Sequence, residues 1–404
     1  MSAGEGRLAP WSLFAGLIAA AGLPIYIHAP KVYVDDYGIS LGTLGAVLAG
    51  LRLIDVVQDP ALGWLAEVTR QKRAAMVAGA VALMALAMIG LFAVEPPVLP
   101  LLWFALTLVV LFSAFSFLSI AFYAEGVGKA GRLGRGGHLR LAGWREAGAL
   151  CGVSVAAVAP VLLGSFAAFA WGFAGLAVLA SFAMRREWAG LAEAPVPDLR
   201  AVLADRMTRR LLLLALVNAA PVAVTSTLFL FFVESRLAAP GSEGPLLLLF
   251  FLAAALSAPA WSQLARGFGA RRTLLAGMVL AVVSFIFAFT LGPGDVAAFA
   301  VICAASGAAL GADMVLLPAI FARHLSRSAG GDAAAFGFWS FASKLALALA
   351  AAAVLPALGA AGFAPGAASP ASALLFLSVL YALVPCGLKL LAIVLLLVTP
   401  IPET

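Results

Sequence analysis

The sequence predicts an all-α polytopic membrane protein, with twelve transmembrane helices in two six-helix bundles. Three observations predict it. Of 404 residues, 64% are hydrophobic and only 11% are charged, a balance that would leave a soluble domain without a polar surface. Apolar runs of about 20 residues, the length a helix needs to cross a bilayer, recur along the whole chain. The basic residues fall in short clusters between those runs. A membrane β-barrel would instead need strands of about ten alternating residues, and the apolar runs do not alternate in that way.

The first six spans are expected at 11–33, 40–67, 74–95, 98–124, 140–163 and 166–184. The second six follow at 208–233, 244–265, 273–292, 296–321, 334–358 and 371–398. Ala19-Ala20-Ala21 faintly resembles a signal-cleavage site, but the apolar run continues past it, so the first span reads as a retained helix. The longest polar stretch, Arg185 to Arg210, contains Pro195 and Pro197 and divides the spans six and six. It reads as a linker over 185–207, between an N-terminal bundle at 1–184 and a C-terminal bundle at 208–404. A stretch rich in Ala, Gly and Pro, from Ala353 to Pro370, joins the last two spans.

Orientation follows from the positive charges. With the N-terminus in the cytoplasm, the inner loops hold such residues as Arg70, Lys72, Arg73, Lys129, Arg132, Arg185, Arg186, Arg209, Arg210, Arg271, Arg272 and Arg323. The outer loops hold only Lys31 and Arg236. The positive-inside rule then puts both termini in the cytoplasm of a cell (inner) membrane protein. The net charge of +6 is spent on this topology, so a lipid bilayer is the expected partner and nucleic acid is not. Cys151, Cys303 and Cys386 lie in apolar segments without metal-ligand spacing and read as packing residues. The sequence holds no nucleotide-binding loop, metal cluster or nucleophile triad. An enzyme and a resident cofactor are therefore not expected, and nothing demands an oligomer.

The second span carries the most informative pair, Asp55 and Asp59, four residues apart on one helix face. A carboxylate at mid-bilayer costs several kcal/mol, so such residues mark function by default. Two acids with neutral oxygens nearby suit a small hard cation. Arg52 shares their stripe, which leaves open a salt-bridge cluster that only holds helices together; Gln58 lies at its edge. In the fourth span Ser116, Ser119 and Tyr123 lie at i, i+3 and i+7. Ser116 alone would read as helix packing; beside two acids it becomes a candidate ligand. Arg145 opens the fifth span and can bind substrate bidentately or pair with Glu146, Glu125 or an acid of the second span. Lys344 lies about ten residues inside the eleventh span, too deep to snorkel, and its expected partner is the Asp55/Asp59 pair. Asp313 in the tenth span reads as a coupling residue or the partner of an arginine, and Lys389 as a snorkelling lysine. Tyr26, Tyr123, Trp144 and Trp339 could line a substrate cavity by stacking on a ring or a lipid tail.

A weak internal repeat supports two related halves. The loop from Gly63 to Arg73 follows the second span, and the loop from Trp261 to Arg272 follows the eighth. Both resemble the loop that marks the major facilitator superfamily. The stretch from Tyr33 to Arg73, with Arg52-Leu53-Ile54-Asp55 and Asp59-Pro60-Ala61-Leu62-Gly63-Trp64, is similar to the glycoside–pentoside–hexuronide:cation symporter family, the melibiose permease-like transporters. Weaker similarity runs through Ser119 to Tyr123, Arg140 to Glu146, Asn218, and Phe338 to Lys344. The resemblance implies a cation site of Asp55, Asp59, Gln58 and Ser116 that takes Na+ or H+, with Lys344 close by and Arg145 on the sugar. Two departures stand out: the family's sugar-binding carboxylates fall here on Ala19 and Ser119, while Tyr123 keeps an aromatic at the stacking position. The expected function is cation-coupled symport of a sugar, glycoside or related small solute by alternating access. The alternatives are a proton-coupled transporter of amphipathic or lipid-like compounds, and a transporter-like assembly factor with no ion cycle.

Overall fold

The computed structural model describes residues 8–22, 29–134, 136–188, 199–327, 331–363 and 369–401. These residues form helices joined by short turns, with no strand among them. Helices α1 (Ala9–Ala20) and α2 (Ala29–Asp35) lie in the first expected span; residues 23–28, and with them Tyr26, fall outside the described residues. There follow α3 (Leu41–Val68), α4 (Arg73–Phe92), α5 (Pro100–Arg132), α6 (Gly137–Leu162) and α7 (Phe166–Met184). After a short α8 (Leu199–Ala204) come α9 (Arg206–Phe231), α10 (Glu243–Phe268), α11 (Ala270–Phe285), α12 (Val296–Leu325), α13 (Asp332–Ala360), α14 (Ala371–Ser378) and α15 (Val384–Val398).

Local chemistry sets several of the starts. Ser40 caps α3 by accepting the Thr43 N–H at 3.1 Å, and Asp205 caps α9 by accepting the Thr208 N–H at 2.7 Å. Pro100 opens α5, where a missing N–H costs nothing. Among the described residues nine helices are long and apolar enough to cross a membrane. Helices α3 and α6 are as long, at 28 and 26 residues, and carry Arg52, Asp55, Asp59 and Glu67, and Arg140, Arg145 and Glu146.

The chain forms two compact units. The first comprises residues 1–204 with 322–341, and the second 205–321 with 342–404. Helix α13 thus begins in the first unit and ends in the second. In the first unit α1 and α6 pack backbone to backbone. A Cβ on Gly152 would run into the Gly16 carbonyl oxygen, so only glycine permits this approach. In the second unit Phe232 stacks on Tyr381 with ring centroids 4.1 Å apart, and both rings are buried. Each of the two rings sits in a π turn, residues 232–236 after α9 and 379–383 before α15. Such turns widen a helix by one residue and recur at functional sites.

Candidate functional site

The acids of α3 lie in the first unit and are fully withdrawn from the surface: Asp55 is 2% exposed and Asp59 0%. Helical spacing puts them on one face, one turn apart. Asp55 Oδ1 accepts from Ser116 Oγ on α5 at 3.0 Å and from Gln58 Nε2 at 3.3 Å. Ser113 Oγ, also on α5, donates to Gln58 Oε1 at 2.8 Å. Asp55, Gln58 and Ser116 are therefore joined in one hydrogen-bonded cluster, with Asp59 on the next turn. Pro60 lies inside α3 and has no N–H to give to the Val56 carbonyl one turn back. The segment thus gathers carboxylate, amide, hydroxyl and carbonyl oxygens at one level of the bundle, the donor set of a hard cation. Ser113 was not singled out from the sequence, although it lies three residues before Ser116 on the same helix face. Arg52 is half-buried on the same helix.

A second cluster joins α5 and α6. Arg145 Nε donates to Glu146 Oε1 at 3.0 Å, and Tyr123 Oη donates to the same oxygen at 3.3 Å. The Arg145 guanidinium lies 3.7 Å from the centre of the Tyr123 ring, a cation–π contact. Of the partners open to Arg145, the structure selects Glu146. Its Nη2 is buried with no hydrogen-bond partner, which leaves one charged donor available to a ligand. Ser119 is half-buried one turn before Tyr123. Glu125 pairs elsewhere: its Oε2 accepts from Arg73 Nη1 at 3.3 Å, and both groups are buried.

The end of α3 meets the start of α13 within the first unit. Gly63 and Gly337 face each other so closely that a Cβ on Gly337 would lie 2.7 Å from the Asp59 carbonyl oxygen and 3.1 Å from the Gly63 Cα. One turn on, Glu67 Oε2 accepts the Ala333 N–H at 3.2 Å, and Glu67 Oε1 accepts from Arg70 at 3.4 Å. A carboxylate on the first free N–H groups of a helix is stabilised by their partial positive charge. The Gly63-to-Arg73 loop expected from the sequence thus ties the acid-bearing helix to α13. Trp339 is half-buried two residues beyond Gly337.

Lys344 lies on α13 in the second unit, half-buried. Lys389 does not snorkel. It is 4% exposed on α15, and its Nζ donates to Asp313 Oδ2 on α12 and to Asn218 Oδ1 on α9 at 2.7 Å. The partner of Asp313 is therefore this lysine and not an arginine. The Asp313 carboxylate inside the bundle neutralises it where it sits. The sequence signal was present in three polar residues on separate apolar helices, none of which has a use for polarity alone.

A family profile described as "MFS/sugar transport protein" matches residues 12–403. The chain belongs to the MFS/sugar transport protein family. A member of the major facilitator superfamily (MFS) is a transporter and not an enzyme. Two solved structures share its fold. A bacterial homologue of the iron transporter ferroportin in the outward-facing state superposes with a TM-score of 0.76 at 14% identity, over 98% of each chain. The E. coli fucose:proton symporter superposes with a TM-score of 0.65 at 13% identity, over 96% of this chain and 98% of the other. At such identities the likeness concerns the fold. A comparison with curated proteins finds no match.

Proposed function

We propose that this MFS transporter is a cation-coupled symporter of the melibiose permease-like kind, using Na+ or H+ to drive uptake of a sugar, glycoside or related small organic solute. The observation that carries the reading is the buried cluster of Asp55, Gln58 and Ser116 with Asp59 one turn on. Two carboxylates one turn apart in a low dielectric repel each other when both are ionised, and a bound cation screens that repulsion. Substrate and cation then raise each other's affinity by the same factor. Arg145 and Tyr123 supply a donor and a ring face to the substrate.

A second reading has one specific observation in its favour. Arg145 is already engaged by Glu146, and Ala19 and Ser119 stand where family members have sugar-binding acids. Fewer groups remain to hold sugar hydroxyls, which favours a proton-coupled transporter of amphipathic compounds. Uptake into proteoliposomes separates the two. A glycoside panel and a lysolipid panel are each presented with an inward Na+ gradient or an inward proton gradient. The first reading expects accumulation of a glycoside driven by the Na+ or the proton gradient, abolished in Asp55→Asn. If Asp55→Asn concentrates the same solute as well as wild type, the coupling assignment is wrong.

A further inference from the structure

The second unit contains a cavity that no part of the coupling mechanism uses. It has a volume of about 60 Å3 and opens among α9, α10, α11, α12 and α15. At roughly 10–15 Å3 per water-sized group, it holds about four to six of them. Its walls are apolar, formed by residues such as Pro221, Phe250, Phe285 and Pro385. Its polar end is the Asp313–Lys389 pair.

The hydrogen-bond inventory of that end is uneven. Asp313 is 9% exposed, and its Oδ1 is buried with no hydrogen-bond partner, while its Oδ2 is held by Lys389. Lys389 has three N–H donors, and two are spent, on Asp313 and on Asn218. The end therefore offers one unmet acceptor and one spare donor side by side. The other polar groups of the wall have their hydrogens committed: Ser306 Oγ donates to the Ile302 carbonyl at 2.6 Å, and Thr225 Oγ1 to the Val222 carbonyl at 3.1 Å.

Charge decides what fits. The Asp–Lys pair is already neutral overall. An added cation would meet Lys389, and an added carboxylate would meet Asp313, each uncompensated in an apolar wall. A neutral hydroxyl instead donates to Asp313 Oδ1 and accepts from Lys389 in one step. Two helix interruptions converge here as well: Pro221 breaks the ladder inside α9, and the π turn at 379–383 with Pro385 precedes Lys389. Interrupted helices are where transporter folds place ligands.

We infer that this cavity is a binding site for the hydroxyl end of a neutral amphipathic molecule, separate from the Asp55/Asp59 site. The hydroxyl sits between Asp313 and Lys389, and an alkyl segment of about three to five atoms lies against the apolar wall. The inference stands independently of the coupling ion.

Photolabelling of the purified full-length protein in detergent tests it, with a short alkanol carrying a diazirine as the probe. The expected adducts map to cavity-lining residues of α9, α12 and α15. Excess 1-butanol removes them, while butylammonium and butyrate compete at least tenfold less well. Ala281→Phe fills the cavity and is expected to cut this labelling at least tenfold. The paired replacement Asp313→Asn with Lys389→Met removes the polar end without leaving a lone charge, and is expected to do the same; the melting temperature of each variant reports that it is folded. Adducts spread over other surfaces without competition would overturn the inference. So would equal competition by the charged analogues, or undiminished labelling in whichever variant is folded.

Discussion

Gly337→Val tests the meeting of α3 and α13. A Cβ there would lie 2.7 Å from the Asp59 carbonyl oxygen and 3.1 Å from the Gly63 Cα, where ordinary van der Waals contact is 3.4–4 Å. Valine adds two further methyl groups, and neither neighbour can yield, because both are helix backbone. The helices must separate by roughly 1 Å or more. Overpacking of this kind costs about 1–3 kcal/mol, and only conformations that keep the contact bear the cost. At about 1.4 kcal/mol per decade, the ratio of forms that keep the contact to forms that lose it falls by about 5- to 150-fold. Spin labels at Lys72→Cys and Ser326→Cys, both exposed and both in the first unit, report it by pulsed dipolar spectroscopy, with Cys151 replaced by serine. The distance distribution is expected to move to longer values in Gly337→Val. An unchanged distribution in a folded variant would refute the reasoning.

Three further outcomes follow from the same geometry. Ser116→Ala removes one hydroxyl donor to Asp55 and is expected to weaken Na+ binding by no more than about tenfold, roughly 1.4 kcal/mol, in a titration followed by melting temperature. Glu67→Ala removes the acceptor for the Ala333 N–H and should cost about 0.5–2 kcal/mol where that contact is made, seen as faster thiol labelling of Ala333→Cys. Lys389→Met leaves Asp313 buried without its counter-charge and should lower stability by several kcal/mol. Adding Asp313→Asn should restore most of the lost melting temperature, and a double variant no more stable than the single one would contradict the pairing.

The fold was legible in the sequence because membrane spans announce themselves by length and composition. The acid pair was legible for the complementary reason: Asp55 and Asp59 are costly where they sit, so they stand out from an apolar background. Even the loop from Gly63 to Arg73 was readable as a unit. What the sequence withheld was pairing across helices. Arg145 had three acceptable partners on paper, and only the structure brings Glu146 and Tyr123 to it. Lys389 looked close enough to the end of its span to snorkel, because its partners Asn218 and Asp313 are 171 and 76 residues away in sequence. Ser113 was hidden among the small hydroxyl residues that membrane helices use for packing, and its bond to Gln58 depends on the rotation of α5 against α3.

The most direct test of the central claim is thermal unfolding of the purified protein in detergent, in Na+ against choline at several pH values, for wild type and Asp59→Asn. Loss of one carboxylate at about 4 Å from the cation, at an effective dielectric constant near 20, removes about 4 kcal/mol of attraction, close to a thousandfold in affinity. The account predicts a saturable rise of melting temperature with Na+, or a matching dependence on pH if the coupling ion is H+, that the variant loses. A folded Asp59→Asn that responds to both ions as wild type does would contradict it.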